Sequence, residues 1–78
     1  MRIVSQNREC DVNYDAVQVI SEEINGKHII AAVLQYFEDE DRCCKFGEYE
    51  SKERCLEVMD SIRNSYMRDR KVFLMPEE

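Results

Sequence analysis

The residues able to do covalent or metal chemistry are few in this sequence. Four cysteines are present, Cys10, Cys43, Cys44 and Cys55, with a single histidine, His28. A catalytic nucleophile needs a base beside it, and no Ser or Cys lies near His28 in the sequence. The vicinal cysteines also lack the spacing of two to four residues that zinc chelation favours. The sequence therefore predicts no enzyme, no metal site and no cofactor.

A second group with chemical potential is a run of aromatic and acidic residues in the middle of the chain. One interpretation is a solvated loop that keeps the protein soluble. The other is a phosphate mimic, in which carboxylates enter a basic groove built for nucleic acid while the aromatic rings anchor them. On this second interpretation the predicted partner-binding residues are Tyr36, Phe37, Glu38, Asp39, Glu40 and Asp41.

The arginines suggest an alternative ligand site. Guanidinium groups bind phosphate oxygens in pairs, so arginines gathered at a subunit interface would hold a nucleotide. The candidates are Arg2, Arg8, Arg63 and Arg68. Arginines on a helix are also commonly just solvated, and the sequence leaves both readings open.

Charge excludes two broad classes of partner. Seventeen acidic and eleven basic side chains give a net charge of −6, which opposes direct binding to nucleic acid and to an anionic membrane surface. The longest apolar stretch, Ile29 to Leu34, is far shorter than the ~20 residues that cross a bilayer. Polar residues follow Val4 at once, which predicts no signal peptide and a cytoplasmic protein with reduced thiols.

The 78 residues suit a single domain, residues 1–78, whose elements are read from periodicity. Asn25-Gly26 between two apolar runs predicts a tight type I′ hairpin. Ser51 is a suitable N-cap for a helix of about 16 to 18 residues, with apolar residues on one face at Cys55, Val58, Met59, Ile62 and Tyr66. Strands are predicted at Arg2 to Ser5, Val17 to Glu23, His28 to Tyr36, Cys43 to Gly47 and Val72 to Met75.

The element order β-β-β-β-α-β predicts an α+β fold. We expect a mostly antiparallel sheet of four to five strands with one amphipathic helix packed on one face. The third strand, however, is apolar on both sides, and each Ile, Val or Leu left in water forgoes about 1.5 to 3 kcal/mol. A homodimer or a partner protein is one cover for the second face. Curling of the sheet, with the C-terminal segment as cover, is the other.

Five segments carry a resemblance to a known family. They are Met1–Gln6, Asp11–Tyr14, Gly47–Arg54, Glu57–Tyr66 and Phe73–Pro76. In order and spacing, these segments resemble a family of short proteins from phages and prophages of Gram-positive bacteria. The sequence departs from that pattern at Asn13, where proline is typical, and at Cys55, where a small residue is usual. The part from Glu22 to Cys44 matches nothing constant.

The resemblance transfers no catalytic residue, but it implies a biological setting. Small phage proteins without enzymatic motifs often act on host machinery, including CRISPR effectors and nucleotide-signalling defences. The resulting hypothesis is a dimeric, cytoplasmic phage protein that inhibits a host defence protein through Tyr36 to Asp41. The alternative hypothesis is an oligomeric sponge that sequesters a nucleotide immune signal at a subunit interface.

Overall fold

The computed structural model describes residues 1–34 and 43–78. Its elements are strands β1 (Arg2–Val4) and β2 (Asp11–Asn13), a 3₁₀ turn (Tyr14–Ala16), strands β3 (Val17–Ile24), β4 (Lys27–Leu34) and β5 (Cys43–Tyr49), helix α1 (Lys52–Met67) and strand β6 (Val72–Leu74). The α+β class and the single amphipathic helix are confirmed. Within the described residues the strands divide between two three-stranded sheets.

Sheet A contains both ends of the described chain. Its order is β2-β1-β6, with β1 antiparallel to β2 and parallel to β6. Strand β2 was not predicted, because three residues with one apolar side chain, Val12, carry no measurable alternation. Sheet B has the order β3-β4-β5 and is antiparallel throughout.

The predicted hairpin forms as expected. Ile24 pairs with Lys27 across a two-residue turn, and Asn25 and Gly26 have φ values of 53° and 78°. A type I′ turn needs positive φ at both central positions, which Asn and Gly tolerate best. The hairpin therefore sets the register of β3 against β4.

Helix α1 begins and ends with hydrogen-bonded caps. The Ser51 Oγ accepts the Arg54 N–H at 3.1 Å, as its N-cap position requires. At the other end Asp69 adopts a left-handed φ of 57°, and the Asp69 and Arg70 N–H groups return to the carbonyls of Tyr66 and Ser65. This is a Schellman arrangement with Asp in the place that Gly usually takes.

One hydrophobic core joins the helix and both sheets. Its members come from β1, β3, β4, β5 and α1, together with Met75 after β6. The fully buried residues of this core include Ile3, Ile30, Cys55, Val58, Ile62 and Met75. Helix α1 and the inner side of sheet A thus cover the same face of sheet B, and the C-terminal segment lies on that side.

The opposite face of sheet B carries Ile29 and Ala31, which are only 8% and 1% exposed in a single chain. Ile20 and Val33 beside them are half-buried. Burial of these two β4 residues therefore does not require a partner, and any cover supplied by a dimer would act on Ile20 and Val33.

A β-bulge connects the two sheets. Ile30 pairs with Gly47 and Ala31 with Lys45, so Phe46 is an extra residue in β5. The Phe46 carbonyl accepts the Gln6 N–H at 2.7 Å. A bulge redirects main-chain groups out of the ladder, and here it bonds the turn that follows β1 to the edge of sheet B.

Candidate functional site

Strand β3 is an open edge of sheet B, since no other strand of the described residues pairs with its outer side. In a two-residue hairpin the residues flanking the turn exchange both main-chain hydrogen bonds, and the pattern then alternates along the ladder. Ile24 is the flanking residue of β3. The main-chain groups that point outward therefore belong to Val17, Val19, Ser21 and Glu23.

Helix α1 lies beside β3 and runs antiparallel to it, leaving a groove between them. We name this the β3–α1 groove. Near the start of β3 it has a volume of about 250 Å³ and is lined by Tyr14, Val17, Val19, Met59, Ile62 and Arg63. Near the end of β3 it has a volume of about 160 Å³ and is lined by Ser21, Glu22, Glu23, His28 and Lys52.

The floor of the β3–α1 groove is apolar at the β3 start. Val17 and Ile62 are buried in the core, whereas Val19 and Met59 are only half-buried. Such a hollow can receive an apolar side chain from outside, because part of its wall is still in contact with water.

An aromatic pair stands at this end of the groove. The Tyr14 and Tyr66 rings have centroids 5.0 Å apart and are tilted by 48°. Tyr14 is held in the 3₁₀ turn by an N–H bond to the Met1 carbonyl and by the Asn13 cap. The Asp15 carboxylate raises the pKa of the Tyr66 phenol. Aromatic rings with polar ends are favoured at protein interfaces.

The acidic run predicted to bind a partner, Tyr36 to Asp41, lies outside the described residues. The strands that lead into it and out of it are described. Leu34 pairs with Val17, and Cys43 pairs with Val33. Both ends of segment 35–42 therefore join sheet B at the end where the β3–α1 groove begins.

The four arginines predicted to bind a ligand lie in strand β1, in the turn after it, in helix α1 and at the C-cap of that helix. Arg2 forms a 2.7 Å ion pair with Asp11, and Arg8 lies in the turn after β1 with a left-handed φ of 66°. Arg63 pairs with Asp60 and lines the β3–α1 groove. Arg68 lines a different, polar groove. The ligand-binding role of these four arginines stays a prediction.

A hollow of about 570 Å³ lies between the β3–β4 turn and the C-terminal residues. Tyr49 and Arg54, which line it, are already hydrogen-bonded within the chain. Tyr49 donates to the Pro76 carbonyl at 2.8 Å, and Arg54 donates to the Glu78 carbonyl at 2.9 and 2.6 Å. Burial raises the pKa of Tyr49 to about 12, while nearby Arg54 acts in the opposite direction. We interpret this region as a structural clasp.

The buried thiol of Cys55 is not activated. Cys10 and Cys55 are free cysteines, and Cys55 is completely buried. Burial raises the pKa of the Cys55 thiol, with a smaller opposing contribution from the Ser21 hydroxyl. Because the thiolate is the reactive form, a raised pKa makes Cys55 a poor nucleophile. Among the side chains that the structure describes, no three potential metal ligands come together.

No family model, curated protein or solved structure matches this chain. Among the described residues, no helix has both the length and the apolar character needed to span a bilayer.

Sequence reasoning did not find the β3–α1 groove. One signal was present, since Val17 and Val19 alternate with polar residues and Met59 widens the apolar face of the helix. The position of β3 at the sheet edge was not predictable from this pattern, because a strand order follows from contacts between distant segments.

Proposed function

We propose that this chain is a small binding protein that docks onto another protein. The observation that carries the proposal is the conjunction of features at one end of sheet B. An open strand edge, an apolar groove and an aromatic pair meet there, and both ends of the acidic segment 35–42 join the sheet at the same place. Exposed main-chain groups beside an apolar hollow are what protein partners bind.

The charge of this region supports a basic partner surface. Asp15 lies next to Tyr14, the segment carries four carboxylates from Glu38 to Asp41, and the whole chain has a net charge of −6. Complementary potentials accelerate association and exclude partners of the same sign. A surface built to bind the phosphates of nucleic acid has the required positive potential.

The biological role we propose is inhibition of a host defence protein, such as a CRISPR effector, in the cytoplasm of a bacterial host. The resemblance to phage and prophage proteins supports this setting. A homodimer fits the same proposal, since it would present two acidic surfaces to a target. In this role the residues Tyr36 to Asp41 contact the target, and the described framework holds the two ends of that segment.

The proposal is tested by phage infection of bacteria that carry a panel of single defence systems, with and without expression of this protein. We expect expression to restore plaque formation against one defence system. The informative variant replaces Glu38, Asp39, Glu40 and Asp41 by the corresponding amides. It should lose the restoration while its thermal unfolding stays unchanged.

The matched control removes four exposed carboxylates elsewhere, at Glu50, Glu53, Asp69 and Glu77. Both variants have the same net charge, so a general charge effect would weaken them equally. Equal restoration by the two variants would contradict a role for the acidic run. No restoration against any system would contradict defence inhibition.

A second candidate function is sequestration of a nucleotide by an oligomer. It is favoured by a polar groove of about 310 Å³ at the end of α1, lined by Ser61, Asn64, Ser65, Arg68 and Arg70. Two guanidinium groups with hydroxyl and amide groups suit a phosphate. A thermal-shift screen with cyclic nucleotides tests it, because ligand at 100 times its dissociation constant stabilises by about 2.7 kcal/mol. This candidate would be contradicted if no cyclic nucleotide raises the melting temperature of the wild type, or if Arg68→Ala leaves that rise unchanged.

A further inference from the structure

We infer that the outer edge of β3 binds an extended, basic segment of the partner as an added strand, with one apolar side chain of that segment inserted in the β3–α1 groove. This inference rests on the proposed function and specifies how the partner is held.

The outer main chain of β3 suits an added strand. Val17, Val19, Ser21 and Glu23 direct their N–H and C=O groups away from β4. The strand is eight residues long, which corresponds to roughly 26 Å of edge at ~3.3 Å per residue. An extended peptide of five to seven residues therefore fits, and its main chain would form alternating hydrogen bonds with these four residues.

The β3–α1 groove suits an apolar side chain of the added strand. Side chains of an added strand alternate between the two faces of the sheet, so every second side chain would point toward α1. The hollow between Val19 and Met59 has a volume of about 250 Å³, several times the ~30 Å³ occupied by one water molecule. An aliphatic or aromatic side chain at the centre of the peptide would fill it and displace water.

The charges around β3 favour a basic segment. Asp15 stands at the start of β3, and Glu22 and Glu23 are exposed at its end. Arg63, the basic residue at the groove start, is already paired with Asp60. Lys52 and His28 line only the far end. A peptide with Lys or Arg beside its apolar residue would therefore be preferred over an acidic one.

The experiment is a selection from a library of random decapeptides displayed on yeast, with the labelled full chain as bait. We expect enrichment of peptides that alternate apolar and basic residues. The enriched peptides are then synthesised, and their dissociation constants are measured by fluorescence polarisation. Enrichment of acidic or helical amphipathic peptides would overturn the inference, and so would a selection that enriches nothing.

Two variants locate the binding. Ser21→Pro removes an outward N–H that β4 does not use, which an edge strand tolerates. Met59→Lys places a charged chain in the groove, and Leu56→Lys makes the same substitution at a residue 45% exposed on the same helix. We expect Ser21→Pro and Met59→Lys to raise the dissociation constants of the peptides at least tenfold. Leu56→Lys should leave these constants unchanged. If Ser21→Pro does not fold, the two lysine variants decide alone, and equal affinities would overturn the inference.

Light scattering of the wild-type chain and of Ser21→Pro completes the test. If the wild type is a dimer and Ser21→Pro is a monomer, β3 pairs with a second copy of the chain. This result would overturn the inference of a basic partner segment. Failure of the peptide selection while the acidic-run variant still loses plaque restoration would refute this binding mode alone. If the peptide selection fails and the acidic-run variant restores plaques as well as the wild type does, the proposed function is refuted as well.

Discussion

The side chain of Gln6 offers the sharpest test of how the two sheets are held together. Its Oε1 accepts the Glu48 N–H at 2.9 Å. Its Nε2 lies 3.2 Å from the Glu48 carbonyl, 3.2 Å from the Pro76 carbonyl and 2.7 Å from the Glu77 carbonyl. A single amide thus joins the strand β5 to the C-terminal residues.

Gln6→Ala removes these bonds and leaves the Glu48 N–H without its acceptor. At about 1 kcal/mol for each net hydrogen bond, with an added penalty for an unpaired donor, we expect a loss of about 2 to 3 kcal/mol. Domains of this size unfold with roughly 4 to 12 kcal/mol. Urea denaturation followed by circular dichroism should show the midpoint lowered by about 2 to 3 M, since m is near 1 kcal/mol/M for small proteins.

Two further variants make the result specific. Gln18→Ala removes the same side chain from an exposed position of β3 and should change the free energy of unfolding by less than about 0.5 kcal/mol. Gln6→Glu keeps an acceptor for Glu48 but faces the carbonyls with a negative charge. It should be at least as unstable as Gln6→Ala at pH 7 and recover relative to it near pH 4, where the protonated carboxyl donates again. A Gln6→Ala protein as stable as Gln18→Ala would refute the reasoning.

Three other changes test individual features. The pKa of Tyr49 in the folded state is raised to about 12. The stabilisation by its protonated phenol is therefore complete below the unfolded pKa near 10 and is lost as pH rises through 12. Between pH 9 and 12.5 the free energy of unfolding of the wild type, measured by chemical denaturation, should fall by up to about 2.7 kcal/mol more than that of Tyr49→Phe. Gly47→Ala places a Cβ 2.7 Å from the Tyr49 ring, so we expect a loss of about 1 to 3 kcal/mol in wild type and a smaller loss in a Tyr49→Leu background. Asp69→Gly relieves the strain of a left-handed backbone at the end of α1, so it should raise the free energy of unfolding by up to about 1 kcal/mol and the melting temperature with it. A lowered melting temperature would argue against strain there.

The elements that the sequence predicts well are those set by neighbouring residues. Asn25 and Gly26 specify their turn through their own tolerance of positive φ, and Ser51 caps the helix through its own hydroxyl. The predicted strand from His28 corresponds to β4 over its described length, Lys27–Leu34. In each case the deciding interaction spans only a few residues.

The elements that the sequence does not predict depend on distant contacts. The separation into two sheets requires β1 to pair with β6, and the bulge at Phe46 is matched by Gln6, forty residues away in sequence. Neither contact leaves a periodic signal. The candidate groove belongs to this second class, since it exists only because α1 lies beside the open edge of β3. The acidic run, conversely, is obvious in the sequence but lies outside the described residues.

The parallel pairing of β1 with β6 has a consequence for biosynthesis. Arg2–Val4 must wait for Val72–Leu74 before sheet A can be completed, so a ribosome-bound chain that does not yet contain Val72–Leu74 can build the hairpin and α1 but not the whole core. Contacts that close so long a loop are late and slow to form. Chains that stall before Val72 would consequently expose Ile3 and its neighbours to chaperones and proteases.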